Sequence, residues 1–167
     1  RINRDVRFAH DKSPYKTRFS AAIAPYDMSR PSKAGGPTYY VQIDGKGNVL
    51  FGAGEYMPPP GRLKALREHM VNDAPGFSKV LKNKRLKARF GTIQDEGKLQ
   101  RPPKGFDADA EHIEFIKLKS FFVWTELPLP LNEPEKLLPL IAEGLKDALP
   151  LVQWMRGAKE DIEEAAD

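Results

Sequence analysis

Residues that could bind an oxyanion are concentrated in a short segment near the start of the chain, with two more in its middle. An arginine presents a planar fork of donors that matches phosphate or carboxylate, and lysine and tyrosine add further donors. This pattern predicts a site for a small anionic ligand. The candidate ligand-binding residues are Arg4, Asp5, Arg7, Lys12, Tyr15, Lys16, Arg101 and Lys104.

The first cluster also has a structural interpretation, which the sequence leaves open. Asp11 could accept backbone N–H groups in a turn that Pro14 stiffens, so that the charged residues tie a loop to a strand. The two interpretations are compatible, because a loop held rigid in this way is also what a preorganised site needs.

No reaction can be assigned from these residues, and whether the chain is an enzyme stays open. If it is one, Arg7 and Lys16 would neutralise developing negative charge, and Asp5 or His10 would transfer the proton. Two other carboxylates, Glu55 and Glu126, stand at predicted strand ends, where single acidic residues are most often solvated or paired.

A second basic stretch runs from residue 79 to residue 104 and suggests a different function. Its cations, opposed only by Asp95 and Glu96, are Lys79, Lys82, Lys84, Arg85, Lys87, Arg89, Lys98, Arg101 and Lys104. Such a surface attracts polyanions. The alternative function is therefore a nucleic-acid or protein interaction module, with strand aromatics available for base stacking.

Composition excludes several classes of protein. The chain has 167 residues, 40% of them hydrophobic and 30% charged, which is typical of a globular domain. It contains no cysteine, so disulfides and thiolate metal sites are excluded. The three histidines are isolated in sequence, and we expect neither a metal nor a cofactor. We expect a cytoplasmic protein without a membrane span, and its oligomeric state stays open.

Hydrophobic periodicity and breaker residues predict the elements that must position these side chains. The predicted strands are 6–8, 17–24, 39–44, 48–52 and 119–126, with 39–44 and 48–52 forming a β-hairpin, and 92–100 is predicted to be a short strand and turn. The predicted helices are 61–71, 75–86, 111–119 and 133–155, with Pro150 kinking or splitting the last, and 26–37 is predicted to be a mobile loop. The fold class is α+β, an antiparallel or mixed β-sheet with helices packed mainly on one face.

Two long motifs carry a family resemblance that spans nearly the whole chain. Arg4-Asp5-Val6-Arg7-Phe8, followed by Asp11-Lys12-Ser13-Pro14-Tyr15-Lys16-Thr17, and Arg101-Pro102-Pro103-Lys104-Gly105-Phe106 resemble domain of unknown function 2461, an uncharacterised conserved-hypothetical family. The resemblance implies one domain over residues 1–167. It also implies that an N-terminal helical portion usual in the family is missing here, and it brings no established catalytic residues.

Overall fold

The computed structural model describes residues 15–24 and 36–159. The predicted strand over 6–8, and the predicted loop over 26–37 except for its last two residues, lie outside these ranges.

The described strands form one antiparallel sheet in the order β1-β2-β3-β4. They are β1 (Arg18–Ile23), β2 (Thr38–Asp44), β3 (Asn48–Glu55) and β4 (Phe121–Pro128). In the register, Tyr40 pairs with Ala22 on one side and Gly52 on the other, and Gly52 pairs with Trp124. Paired residues share a face of the sheet, so one row of side chains crosses all four strands.

The β2–β3 hairpin is closed by a side chain. One carboxylate oxygen of Asp44 accepts hydrogen bonds from the backbone N–H groups of Lys46 (2.9 Å) and Asn48 (3.0 Å). These bonds, first of all the one from Asn48, hold the pKa of Asp44 below its ordinary value. Gly47, at φ 88°, takes the left-handed position that such a turn requires. The predicted hairpin is therefore confirmed.

The described helices are α1 (Pro60–Asn72), α2 (Ala74–Leu81), α3 (Lys84–Phe90), α4 (Ile113–Ile116) and α5 (Leu137–Gly157), with a 3-10 turn at Pro134–Lys136. Together with the sheet they make an α+β fold, as predicted. The single helix predicted over 75–86 was wrong, because Asn83 starts a new helix. Its side chain accepts from the N–H of Leu86 at 3.1 Å and so caps α3.

Three other boundaries differ from the predictions. The segment 92–100 forms no strand, and its link to the sheet is one hydrogen bond from Gln94 N–H to the Phe122 carbonyl (3.0 Å). The helix predicted over 111–119 is only one turn, since His112 before it has a left-handed φ of 64°. The last helix is not split at Pro150, because α5 packs against β3 and tolerates one missing hydrogen bond.

The core lies between the helices and one face of the sheet. The fully buried side chains on this face include Val49, Phe51, Phe121 and Val123. At Gly144 in α5, a Cβ would overlap the ring of Phe51, so the absence of a side chain lets helix and strand approach closely. The opposite face carries Tyr40, Gln42 and Trp124, which are only partly covered.

Within the described ranges, no helix is both long and apolar enough to cross a membrane.

Candidate functional site

The eight predicted ligand-binding residues are divided by the structure. Four of them, Arg4, Asp5, Arg7 and Lys12, lie outside the described residues. Tyr15 and Lys16 are exposed and come just before β1, with the Tyr15 ring 64% exposed. Arg101 and Lys104 are exposed on the long loop between α3 and α4.

The local geometry around Lys104 agrees with its sequence. The N–H of Phe106 donates to the Pro103 carbonyl at 3.2 Å, and Gly105 between them has φ 89°. This is the pattern of a type II turn, which needs a positive φ at its third residue and places Lys104 at its second. The turn therefore presents the lysine at a defined place on the surface.

Lys104 faces a cleft of about 750 Å³, here called the α1 cleft, which lies between α1, the 104–110 loop and the C-terminal end of α5. Its polar or charged lining residues are Lys64, Glu68, His69, Asn72, Lys104, Asp107 and Lys159. Three lysines from three separate segments thus meet at one concave surface. The Lys64 ammonium lies 3.5 Å from the Glu68 carboxylate, so part of this positive charge is balanced within α1.

The side chain of His69, in this cleft, is anchored to the core. Its Nε2 lies 3.1 Å from the carbonyl oxygen of Trp154, and its ring stacks on the Trp154 ring with 4.7 Å between the centroids. Because a carbonyl only accepts, the Nε2 carries a proton that it donates. The other ring nitrogen, Nδ1, is left with a lone pair when the ring is neutral.

Tyr15 and Lys16 lie far from this cleft. The carbonyl of the next residue, Thr17, accepts from Gly45 N–H at 2.8 Å, which places this segment at the hairpin end of the sheet. The α1 cleft is at the other end, because an ion pair joins Glu55, the last residue of β3, to the first turn of α1. Tyr15 and Lys16 are therefore separated from the cleft by about the length of β3, which is about 23 Å at roughly 3.3 Å per residue.

Glu55 is unsuited to proton transfer. It is 4% exposed, and its carboxylate accepts from Arg62 Nε (3.1 and 3.0 Å), Arg62 Nη2 (2.7 Å) and the N–H of Gly36 (3.1 Å). Arg62 also donates to the carbonyls of Met155 (2.7 Å) and Ala158 at the end of α5. The pair joins β3, α1 and α5, which is a structural role.

A second buried arginine was missed by the sequence reasoning. Arg67 in α1 is 8% exposed, and burial lowers the pKa of its guanidinium. Its Nη2 donates to the Leu118 carbonyl at 3.0 Å, while the buried Nε has no hydrogen-bond partner. Its burial could have been inferred from its position directly after Leu66 and three residues before Met70, which places it beside the apolar face of the helix.

The basic stretch 79–104 is partly neutralised by the fold. Arg89 pairs with Asp147 at 3.1 Å, and Lys98 pairs with Glu114 at 2.6 Å. The exposed cations on α2, on α3 and between them are Lys79, Lys82, Lys84, Arg85 and Lys87. Hence the positive surface is narrower than the sequence predicts.

The ion pairs of Glu114 with Lys98 and Lys117 predict that the stability of the fold depends on pH. The pKa of Glu114 is lowered to about 2 from an ordinary 4.5. The largest cause is a hydrogen bond from Lys117 (2.8 Å), and the next is a hydrogen bond from Lys98. A depressed carboxylate pKa stabilises the fold above pH 4.5, and this contribution is lost as the pH falls towards 2. We therefore expect Glu114→Gln to lower the urea midpoint at pH 7 and to have little effect near pH 2.

The control is Glu135→Gln, at another exposed carboxylate. The carboxylate of Glu114 is exposed, so the effect should be small and should shrink further at high salt. A difference between wild type and Glu114→Gln that stays constant from pH 7 to pH 2 would contradict the proposed ion pair.

Comparison with known proteins places the chain in a family but does not give a reaction. No curated protein and no solved structure shows detectable similarity to the chain. One family model, described as conserved hypothetical protein (DUF2461), matches residues 1–154. That match covers most of the sequence, including the first predicted site segment and the turn around Lys104. The chain therefore belongs to the conserved hypothetical protein family DUF2461.

Proposed function

We propose that the chain binds a small anionic ligand, one that carries phosphate or carboxylate groups, in the α1 cleft. The observation that supports this most directly is the convergence of Lys64, Lys104 and Lys159 from three separate segments on one concave surface. Its volume of about 750 Å³ is within the ordinary range of small-molecule sites.

The charges in the cleft favour an anion of modest size. Three ammonium groups face the carboxylates of Glu68 and Asp107, and Glu68 already interacts with Lys64. Among the described residues, Lys104 and Lys159 have no carboxylate within 4.0 Å, so no described side chain neutralises their charges. Asn72 and His69 add groups that can form hydrogen bonds with ligand oxygens.

The experiment is calorimetric titration with inorganic phosphate, citrate and a sugar phosphate, using wild type and the variants Lys104→Met and Lys46→Met. Losing one charge-assisted hydrogen bond should weaken binding about tenfold in Lys104→Met. Lys46 is exposed at the tip of the hairpin, so Lys46→Met removes the same charge away from the cleft. It should bind like the wild type.

Two outcomes would reject the proposal. One is the absence of binding by any of these anions at millimolar concentration. The other is equal weakening in Lys104→Met and Lys46→Met, which would mean that net charge rather than the cleft attracts the anion.

A basic interaction surface remains the second candidate, because Lys79, Lys82, Lys84 and Lys87 are all exposed on α2, on α3 and between them. Salt distinguishes the two functions. Binding of a polyanion should weaken steeply between about 50 and 200 mM salt through counterion release, whereas a single anion in the α1 cleft should respond much less.

A further inference from the structure

The face of the sheet opposite the helices carries a groove that the α1 cleft does not involve. It has a volume of about 700 Å³ and is here called the aromatic groove. Its lining residues are Arg18, Thr38, Tyr40, Gln42, Leu50, Gly52, Ala53, Gly54, Tyr56, Glu96, Phe122, Val123 and Trp124. Most of them lie on this face because the antiparallel register alternates side chains between the two sides.

Two glycines give the groove its depth. Gly52 pairs with Trp124, and Gly54 pairs with Phe122, on the same face of the sheet. A Cβ at either glycine would overlap the backbone of β4. Glycine therefore lets β4 approach β3 closely, and the two aromatic side chains stand beside bare backbone.

Tyr56 lines the groove, Met57 follows it in the chain, and both side chains are exposed. The Tyr56 ring meets the Phe122 ring edge-to-face with 5.4 Å between centroids, yet Tyr56 is 67% exposed. Met57 has a φ of 47°, which is unusual for a side chain of its size, and it is 70% exposed. The buried hydroxyl of Ser120 holds this conformation by accepting from Met57 N–H at 2.9 Å. Strain that keeps apolar groups in solvent is typical of binding sites.

Polar side chains that line the groove can form hydrogen bonds with a ligand. The Tyr40 hydroxyl donates to the Gln42 side-chain oxygen at 3.0 Å, so the amide N–H groups of Gln42 are left to donate elsewhere. Arg18 supplies a positive charge and Glu96 an acceptor. A purely apolar partner would leave these groups without hydrogen bonds, which is unfavourable.

We propose that the aromatic groove binds a mononucleotide. The planar base would stack on the aromatic side chains, its polar edge would meet Gln42 and Glu96, and its phosphate would meet Arg18. Stacking is favoured because aromatic walls present their π faces to a flat ring. The volume suits one small molecule rather than the face of a partner helix.

The test uses the indole N–H signals of the two tryptophans in a two-dimensional NMR spectrum of ¹⁵N-labelled protein, assigned with Trp124→Phe. Adenosine monophosphate should shift the Trp124 signal. The Trp154 indole is buried on the other side of the sheet and donates to Asp73 at 3.1 Å, so its signal does not report on this groove. Ribose 5-phosphate, which lacks the base, should leave the Trp124 signal unchanged.

Variants connect the shift to the groove. Tyr56→Ser should weaken nucleotide binding about tenfold, since it removes one stacking side chain. Phe19→Ser removes another exposed aromatic ring, 53% exposed on the other face of the sheet, and should bind like the wild type. Lys104→Met should also leave the Trp124 shift unchanged, which separates this site from the α1 cleft.

Three results would overturn the proposal. They are an unchanged Trp124 signal at millimolar nucleotide, an equal response to ribose 5-phosphate, and equal weakening by Tyr56→Ser and Phe19→Ser. A response to a single-stranded oligonucleotide but not to the mononucleotide is a case of the first result, and would point to a polymer instead.

Discussion

Replacing Glu55 with glutamine is expected to lower the free energy of unfolding by about 3–5 kcal/mol, because it leaves the buried Arg62 guanidinium without its counter-charge. Arg62 is 6% exposed and cannot recover solvation without breaking its hydrogen bonds to the end of α5. The change keeps the shape of the side chain, so it tests charge and hydrogen bonding rather than packing. Urea unfolding at pH 7 measures the effect.

The matched control is Glu126→Gln on the exposed part of β4, expected to change stability by less than about 0.5 kcal/mol. A double-mutant cycle that adds Arg62→Gln should show strong coupling between the two positions, because they share hydrogen bonds. A loss below about 1 kcal/mol for Glu55→Gln would show that the pair does not join the three elements as described.

Replacing Phe77 with alanine is expected to cost about 3–5 kcal/mol of stability, since it removes a fully buried ring from the core. The ring centroid lies 4.7 Å from that of Trp154, 5.0 Å from His112 and 5.3 Å from Phe115. These contacts connect α2 with α4 and α5. The cavity would therefore loosen three helices at once.

Thermal and urea unfolding measure this effect, with Phe19→Ala as the control. Phe19 is more than half exposed on β1, so its truncation should be nearly neutral. If Phe77→Ala and Phe19→Ala cost the same, the aromatic cluster would not be the centre of the core.

Some elements of the fold follow from local sequence, and others depend on tertiary contacts. The hairpin around residues 44–48 and the start of α1 at the end of Pro58-Pro59-Pro60 depend on local turn chemistry and proline geometry, so their residues predicted them. The single turn of α4 was harder to predict from the sequence. It depends on a left-handed His112 and on tertiary contacts that a periodicity pattern does not contain.

In the candidate sites, too, some features follow from local sequence and others from tertiary packing. The type II turn at Pro103-Lys104-Gly105-Phe106, which presents Lys104, depends on local turn chemistry. That Lys64 and Lys159 face the same cleft follows from the packing of α1 against the end of α5. Arg101 resembles Lys104 in sequence context, yet it does not line this cleft.

By itself, then, the sequence determined the fold class, the hairpin, the helices α1 and α5 and the family, because periodicity, prolines, glycines and long motifs are local signals. Only the tertiary structure decided which charges meet. It paired Glu55 with Arg62, separated Tyr15 and Lys16 from Lys104 by the length of a strand, and placed Gly52 and Gly54 beneath aromatic side chains. The physical reason is that these relations depend on strand register and helix packing, which bring together residues far apart in the chain.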